Sequence, residues 1–310
     1  MKTSGFGALS KQELHKAKIA YLCVLPALLI LVLVRAWPIF YAIAKSFTNW
    51  DGLRSDFVGL KNYRTIFTGG EFWNLFRNNL VLLLSVPLQI IIGLIIAVLL
   101  YEHVPGWRAF RAIYYVPQII SLVILGYLFR TMFSANGAFN AILSGVGLGA
   151  WAREWLADGS TALPVMVFCI TWYSIGWQTI VILGGMSSID TSVFEAARLD
   201  GANFWDRTFR IVLPMIVSVI TYCVVMAVIW TFTSLFPLMN AMTAGGPIYI
   251  EDGHYVYETM TLDYYIYYKA FGRSQEMGLG CAAAVLLLLI VLVITAVEMR
   301  VSDKAEEKWG

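Results

Sequence analysis

Residues 195–214 read EAARLDGANFWDRTFRIVLP and place charge, glycine and aromatic side chains between two long apolar runs. The chain around this segment is 59% hydrophobic and only 14% charged, with a mean hydropathy of +0.71. A soluble domain of this composition would aggregate, so the sequence predicts an all-α integral membrane protein that crosses the bilayer several times.

Net charge and cysteine spacing exclude several other classes of protein. The net charge of +2 is too small to favour a nucleic-acid binder. The four cysteines lie far apart inside apolar runs, with neither metal-ligand spacing nor the pattern of a disulfide framework. They are predicted to behave as small buried hydrophobic residues: Cys23, Cys169, Cys223 and Cys281.

Six runs are long enough for spanning helices, each of which needs about 20 apolar residues. The runs are 20–44 (interrupted by Arg35), 80–101, 112–129, part of 161–189, part of 211–250, and 277–297. The fifth run is too long for one span. Pro237 and the GGP at 245–247 therefore predict a helix that ends near Pro237, followed by a non-helical outer stretch.

Basic residues favour a topology with both termini inside, because cytoplasmic loops carry an excess of lysine and arginine. On this topology twelve basic residues lie inside and nine lie outside, while Arg35 falls within the first span. The opening segment then faces the cytoplasm.

The opening segment predicts two short helices joined by a tight turn. Ser192 and Glu195 have the spacing of a capping box at the start of the first helix. Gly201 is suited to the left-handed conformation that ends a helix. Asn203 is placed to cap a second helix over 204–211.

Charged and aromatic residues of the same segment indicate an amphipathic surface element. Asp206 and Arg210 are spaced for an ion pair along the second helix. Phe194, Phe204 and Trp205 are predicted to be exposed and to need a covering surface. Physical reasoning leaves two interpretations open: a loop that lies among lipid headgroups, or a knob that docks onto a soluble partner.

The spacing of this segment resembles the EAA loop of binding-protein-dependent ABC transporter permeases, which reads E-A-A, three residues, G, about nine residues, I-x-L-P. Glu195-Ala196-Ala197, Gly201 and Ile211-Val212-Leu213-Pro214 match that pattern. Other stretches are similar to the carbohydrate-uptake branch, the maltose-permease-like larger subunit: PIFYAIAKSFTNWDG, FVGLKNYRTIF, FWNLFRNNL, VPLQIIIGLIIAVLL, RAIYYVPQIIS and TAGGP. The resemblance covers about residues 20–299.

This resemblance implies the six-helix fold of a type I ABC importer permease in the cytoplasmic (inner) membrane of a prokaryote. The expected parts are a cytoplasmic tail at 1–19, a first transmembrane helix at 20–45, a permease core at 72–298 and a cytoplasmic tail at 299–310. The EAA loop occupies 188–213 within that core.

The implied partners are a second permease, two ATP-binding cassette subunits and an extracytoplasmic solute-binding protein. The sequence contains no G-x-x-x-x-G-K-S/T motif. The chain is therefore expected to be no enzyme and to hold no cofactor, with ATP and Mg bound by the cassette subunits.

The EAA loop is expected to couple this chain to the ATPase subunits. Glu195 either caps the first helix or meets a partner cation, the small alanines permit close approach, and Gly201 turns the chain. The expected coupling residues are Glu195, Ala196, Ala197, Asp200, Gly201, Asn203, Trp205, Leu213 and Pro214.

The solute pathway is expected between helices near the middle of the membrane. The second to sixth spans carry no ionisable residue at their centres, which favours a neutral solute over an ion-coupled mechanism. Two stretches, WYSIGWQT and WTFTSLF, offer rings and polar groups that suit a sugar, and Gly176 is expected to kink the fourth span. Together with the resemblance they give these pathway residues: Tyr173, Ser174, Trp177, Gln178, Thr231, Phe232 and Leu235.

Several alternatives remain open. Leu235 replaces an expected polar residue and Pro237 stands where many relatives have aspartate, so the sugar is not identified. Glycerol 3-phosphate or a polyol is the nearest rival substrate, for which Arg35 and Lys45 are the candidate cations. An ion-coupled secondary sugar transporter and a membrane scaffold without a transport role are the alternatives from other classes.

Overall fold

The computed structural model describes residues 11–101, 106–251, 253–273 and 275–309. The chain begins with helix α1 (Lys11–Leu31), continues through a π-helical turn (Val32–Ala36) and ends this first span with α2 (Trp37–Lys45). Side chains over 18–31 are all exposed, whereas α2 packs against the last helix, α16 (Met277–Trp309). The first span is therefore exposed along most of its length and contacts the rest of the chain near its C-terminal end.

The middle of the chain supplies the helices that surround the core. In chain order they are α3 (Lys61–Thr68), α4 (Glu71–Leu82), α5 (Ser85–Tyr101), α6 (Trp107–Ile119), α7 (Leu122–Met132), α8 (Ala138–Gly145), a 3-10 turn (Gly149–Trp151) and α9 (Gly159–Ser187). Asp158 caps α9 through its side chain, which accepts the N–H of Ser160 at 2.8 Å.

The remaining elements follow α9 in the chain. They are α10 (Thr191–Leu199), α11 (Phe204–Asp206), a π-helical stretch (Arg207–Val212), α12 (Leu213–Met215), α13 (Val217–Thr233), α14 (Phe236–Met242), strands β1 (Ile248–Glu251) and β2 (His254–Tyr257), and α15 (Leu262–Phe271). The two strands form an antiparallel hairpin in which Ile248 pairs with Tyr257.

Four helical stretches in the described part of the chain are long and apolar enough to cross a membrane: 18–45, 71–101, 159–187 and 277–300. Two bent pairs raise the number to six if each pair is one span. The pair α6 and α7 bends by 103°, and the stretch 207–215 meets α13 at 69°. The predicted third span, 112–129, is thus not one straight helix.

One further prediction needs correction. Helix α13 ends at Thr233, close to the predicted stop at Pro237, but Pro237 sits in the first turn of α14, where a missing N–H costs nothing. The outer stretch after Pro237 was predicted to be non-helical, yet it contains α14 and α15. Helix α16 continues to Trp309, so most of the segment predicted as a C-terminal tail is helical.

The core lies between α5, α9, α13 and α16, and buried asparagines fasten the outer segment to it. The Asn79 amide donates to the Thr231 carbonyl at 3.1 Å and accepts the N–H of Leu262 at 2.9 Å. Asn78 donates to the carbonyls of Tyr257 and Met260. These bonds satisfy backbone groups that could find no water in an apolar core.

Candidate functional site

A cavity of about 220 Å³ lies near the middle of α9, between α5, α6, α9 and α13. Its wall combines aromatic rings and neutral polar groups, and among the described residues that line it none is charged. The lining residues are Gln89, Gln118, Tyr173, Ser174, Trp177, Gln178, Met226, Ala227 and Trp230. Such a site can stack flat apolar faces and exchange hydrogen bonds, but it offers no ion pair.

Aromatic side chains form one part of this wall. Tyr173 and Trp230 stack with ring centroids 5.7 Å apart and planes 16° apart, which joins α9 to α13. Trp177 lies one helical turn from Tyr173, and its ring is 6.2 Å from that of Tyr222. The rings therefore form a continuous apolar surface along the cavity.

Glutamines form the polar part of the wall. Gln178 Nε2 donates to Gln89 Oε1 at 3.2 Å, across the contact between α9 and α5. Both side chains are only 1% exposed. Gln118 lies on α6 at the same cavity, so three helices each contribute one amide.

Glycines bring these helices close enough for the amides to meet. A Cβ added at Gly93 would lie 2.9 Å from the Cβ of Gln178, so α5 and α9 touch at this level. A Cβ added at Gly176 would collide with the backbone carbonyl of Tyr114 on α6. Helix α9 is continuous through Gly176, so the predicted kink is wrong: the glycine serves close helix packing instead.

Four predicted pathway residues line the cavity and three do not. Tyr173, Ser174, Trp177 and Gln178 all contribute to the wall. Thr231, Phe232 and Leu235 are completely buried in the core. This side of α13 is covered by α4, where the ring of Phe76 lies 6.5 Å from that of Phe232.

The cavity therefore meets α13 at other residues than those predicted for the pathway. The residues of α13 that face the cavity are Met226, Ala227 and Trp230. Gln89 and Gln118 were not predicted either. Their signal in the sequence is a single amide within each of two otherwise apolar stretches, VPLQIIIGLII and YYVPQII.

Residues 188–214 form an elbow, the name used here for this segment. Its first helix begins at Thr191, two residues earlier than a Ser192–Glu195 capping box requires, because Asp190 Oδ1 accepts the N–H of Ser192 at 2.8 Å. The predicted capping box is thus wrong, and Asp190 is the cap. The backbone N–H and hydroxyl of Ser192 hold the pKa of Asp190 below its ordinary value.

The turn of the elbow follows the prediction closely. Gly201 has a φ of 77°, in the left-handed region. The N–H of Ala202 bonds to the carbonyl of Ala197 at 2.9 Å, which is the six-to-one bond of a Schellman cap. Asn203 Oδ1 then accepts the N–H of Asp206 at 3.0 Å and caps the second helix, as predicted.

The second half of the elbow is helical but wider than an α-helix. Asp206 and Arg210 form the predicted i,i+4 ion pair at 3.3 Å. The π-helical stretch leads into α12, where Leu213 and Pro214 are half-buried. The chain then bends by 69° into α13.

One face of the elbow packs on the chain and the other is exposed. Phe194 is buried against Tyr101 at the C-terminal end of α5, with ring centroids 5.2 Å apart, so its predicted exposure is wrong. Trp205 is 65% exposed and stacks on Phe209 at 5.9 Å, in agreement with the prediction. The side chain of Phe204 lies outside the described part of the structure.

The remaining coupling residues divide between these two faces. Ala197 is buried, whereas Glu195, Ala196 and Asp200 are exposed. The Glu195 carboxylate has no hydrogen-bond or ion-pair partner among the described side chains. Asp190, and not Glu195, therefore caps the helix.

A helical membrane fold with a neutral cavity at mid-span and an exposed elbow at one end of its spans defines a membrane permease. Residues 74–305 match the family described as "Binding-protein-dependent transport system inner membrane component", and this chain belongs to that family. Its members are membrane-embedded, non-enzymatic components of their transport systems. The predicted resemblance and the helical membrane fold of a type I ABC importer permease are confirmed, with four to six candidate spans in the described residues. The count of six spans stays a prediction.

Two relatives match nearly the whole chain. The probable starch degradation products transport system permease protein AmyD of Thermoanaerobacterium thermosulfurigenes is 30% identical over 289 residues, 92% of this chain and 94% of the relative. The probable ABC transporter permease protein YurN of Bacillus subtilis is 31% identical over 296 residues, 94% of this chain and 98% of the relative.

A solved structure shares the fold. It is a bacterial alginate ABC transporter in complex with an alginate pentasaccharide-bound periplasmic protein. The TM-score is 0.80 at 23% identity, and the match covers 95% of this chain and 97% of that chain. The likeness extends from the first span to α16.

Proposed function

We propose that this chain is one of two transmembrane subunits of an ATP-driven importer that moves an uncharged saccharide into the cytoplasm. The observation that carries the proposal is the cavity at mid-span, where rings and amides meet without a charged lining residue. Sugars present apolar C–H faces and many hydroxyls, which suit stacking on rings and hydrogen bonds to neutral groups. The relative named for starch degradation products supports the same class of solute.

Coupling to ATP hydrolysis is proposed at the elbow. Its exposed face carries Glu195, Asp200 and Trp205, and its buried face rests on α5 through Phe194. A soluble ATPase subunit that grips the exposed face would move α5 and α13 together. On this proposal ATP and Mg are bound by two cassette subunits, and this chain holds no cofactor.

The same proposal sets the topology and the other partners. The elbow and both termini face the cytoplasm, so the β1–β2 hairpin and α8 lie on the outer side, where a solute-binding protein docks. The parts of the chain remain those predicted: tails at 1–19 and 299–310, a first helix at 20–45 and a core at 72–298. A second permease completes the pathway wall, because one chain encloses only one side of it.

A phosphorylated polyol is less favoured as the solute. Lys45 lies at the outer end of α2, where its ammonium donates to Ser55 Oγ at 2.9 Å and lies over the rings of Tyr41 and Trp50. Arg35 lies in the π-helical turn of the first span. Neither cation lines the cavity, so a phosphate there would lack a counter-charge.

The test is uptake by the purified complex in proteoliposomes with its cognate binding protein. We expect the chain to co-purify with ATPase subunits and to accumulate maltotriose only when ATP is supplied on the cassette side. Glycerol 3-phosphate and an alginate trisaccharide serve as anionic comparisons. Accumulation driven by an ion gradient without ATP, or preference for either anion, would overturn the proposal.

A further inference from the structure

The three glutamines of the cavity retain amide atoms that no protein group satisfies. Gln89 Nε2, Gln118 Oε1 and Gln178 Oε1 are buried atoms without a hydrogen-bond partner in the described structure. A buried polar group left without a partner destabilises the folded chain. Three such atoms at one cavity indicate a site that is completed by a ligand or water.

The chemistry of the unsatisfied atoms specifies the ligand. An amide carries two N–H donors and one acceptor oxygen. After Gln178 donates to Gln89, the pair keeps N–H donors on one side chain and an acceptor oxygen on the other. Turning both amides over exchanges these roles but still leaves donors and an acceptor, so the result does not depend on how the amides are oriented.

We propose that Gln89, Gln118 and Gln178 form a hydroxyl-binding subsite on the translocation pathway, in which one or two sugar hydroxyls both donate to and accept from the amides. The inference rests on the proposed function and adds two residues, Gln89 and Gln118, and a mode of recognition. A hydroxyl suits the cluster because it is a donor and an acceptor at once. A carboxylate or phosphate only accepts, so it would leave the amide oxygens unpaired.

The surrounding structure holds the cluster in place. Gln89 lies one turn from Gly93 on α5, where that helix touches Gln178. Gln118 lies one turn from Tyr114 on α6, where that helix touches Gly176. Both close contacts are backbone features of rigid helices, so the amides are positioned before a ligand arrives. The rings of Trp177 and Trp230 line the same cavity and offer the stacking surface.

The experiment compares Gln89→Leu and Gln178→Leu with Met166→Leu in the reconstituted complex. Met166 is buried in α9 and does not line the cavity, so it is the control for a substitution within the packed helices. With saturating, maltotriose-loaded binding protein, each glutamine variant should take up about 3- to 10-fold less maltotriose per ATP hydrolysed. Stimulation of ATP hydrolysis in the glutamine variants and uptake by Met166→Leu should both stay near the wild-type level.

A nearly isosteric variant keeps the test decisive if the leucine variants do not assemble. Gln89→Glu preserves size but replaces the N–H donors with an acceptor, so it should also lower maltotriose uptake per ATP. If the wild-type complex takes up maltotriose and the glutamine variants take up as much per ATP, the proposed subsite is overturned, whereas the proposed importer function stands. Absence of ATP-driven uptake by the wild-type complex would instead overturn the proposed function.

Discussion

The elbow and the cavity are built in opposite ways. The elbow is one continuous segment whose shape comes from backbone caps at Asp190, Gly201 and Asn203. The cavity is assembled from side chains on four helices, from Gln89 on α5 to Trp230 on α13. The difference teaches that the shape of the elbow depends on local conformation, whereas the shape of the cavity depends on how the helices pack.

The two regions should therefore respond differently to substitution. A change in the elbow alters the transmission of force and leaves the cavity as it is. A change in the cavity alters the passage of solute and leaves the response to ATP intact. The uptake of sugar and the hydrolysis of ATP, measured together, separate these two outcomes.

The largest effect is expected from Gly201→Val. The left-handed conformation at φ 77° costs an L-residue about 1–2 kcal/mol, and β-branching raises that cost. No atom lies within 4 Å of a Cβ added there, so the effect would come from the backbone and not from a collision. We expect coupled uptake to be lost while the complex still assembles, as judged by co-purification.

The matched control for this prediction is Gly201→Asn. Asparagine tolerates the left-handed region better than other residues with a side chain, so this variant should keep most of its uptake. If both variants lose the same amount of uptake, uptake depends on the surface at this position more than on the left-handed turn.

The elbow was predictable because its signals lie next to one another in the sequence. Gly201, Asn203 and the Asp206–Arg210 pair are governed by rules that act over three or four residues, and the structure has all of them as predicted. The burial of Phe194 was not predictable in this way. It results from a contact with Tyr101, which is distant in sequence and adjacent only in the folded chain.

A smaller effect is expected from Trp177→Ala, which removes a ring from the cavity wall. Loss of a stacking surface worth about 0.5–1.5 kcal/mol should lower maltotriose uptake about 2- to 12-fold. ATP hydrolysis stimulated by the loaded binding protein should remain. The measurement is uptake per ATP hydrolysed in proteoliposomes.

Trp172→Ala is the control for that experiment. Trp172 lies on the same helix but is 39% exposed and packs edge-on to Phe129, outside the cavity. Its replacement should leave uptake per ATP close to the wild-type value. If both tryptophan variants lose uptake equally, the effect reflects packing of α9 and not contact with solute.

The cavity was only partly predictable from sequence. The periodicity and composition of the sequence identify α9 as polar and aromatic at its centre, but they do not show which face of α13 lines the cavity. Asn79 and α4 decide that question by covering Thr231 and Phe232, and both contacts join residues about 150 positions apart. For the same reason the sequence does not show a role for Gln89, because its amide meets Gln178 only when α9 packs against α5.

A moderate loss of stability is expected from Gly176→Ala. The added methyl group would press on the backbone of Tyr114, which cannot rotate away as a side chain can. Overpacking of this kind costs about 1–3 kcal/mol, so the solubilised complex should melt at a lower temperature. Because α6 carries Gln118, maltotriose uptake per ATP should also fall.

Gly184→Ala provides the comparison within the same helix. Nothing lies within 4 Å of a Cβ added at Gly184, so this variant should gain about 0.4–1 kcal/mol from reduced freedom of the unfolded chain. Opposite shifts in melting temperature are therefore expected from the same chemical change at two glycines of α9. Equal shifts would mean that α6 does not pack closely at Gly176.

The smallest effect is expected at the start of the elbow, where it distinguishes two possible caps. Asp190→Ala removes the acceptor of the Ser192 N–H and should weaken binding-protein-stimulated ATP hydrolysis slightly, whereas Ser192→Ala should change it less.

The contribution of this cap to stability depends on pH. Since the folded-state pKa of Asp190 is lowered, the stability that its charged carboxylate contributes is fully present above the ordinary pKa and is lost only as pH falls through the lower folded value. Asp190→Asn keeps the hydrogen bond without the charge and should behave like the wild type near neutral pH. A larger loss in Ser192→Ala than in Asp190→Ala would return the capping role to Ser192 and Glu195.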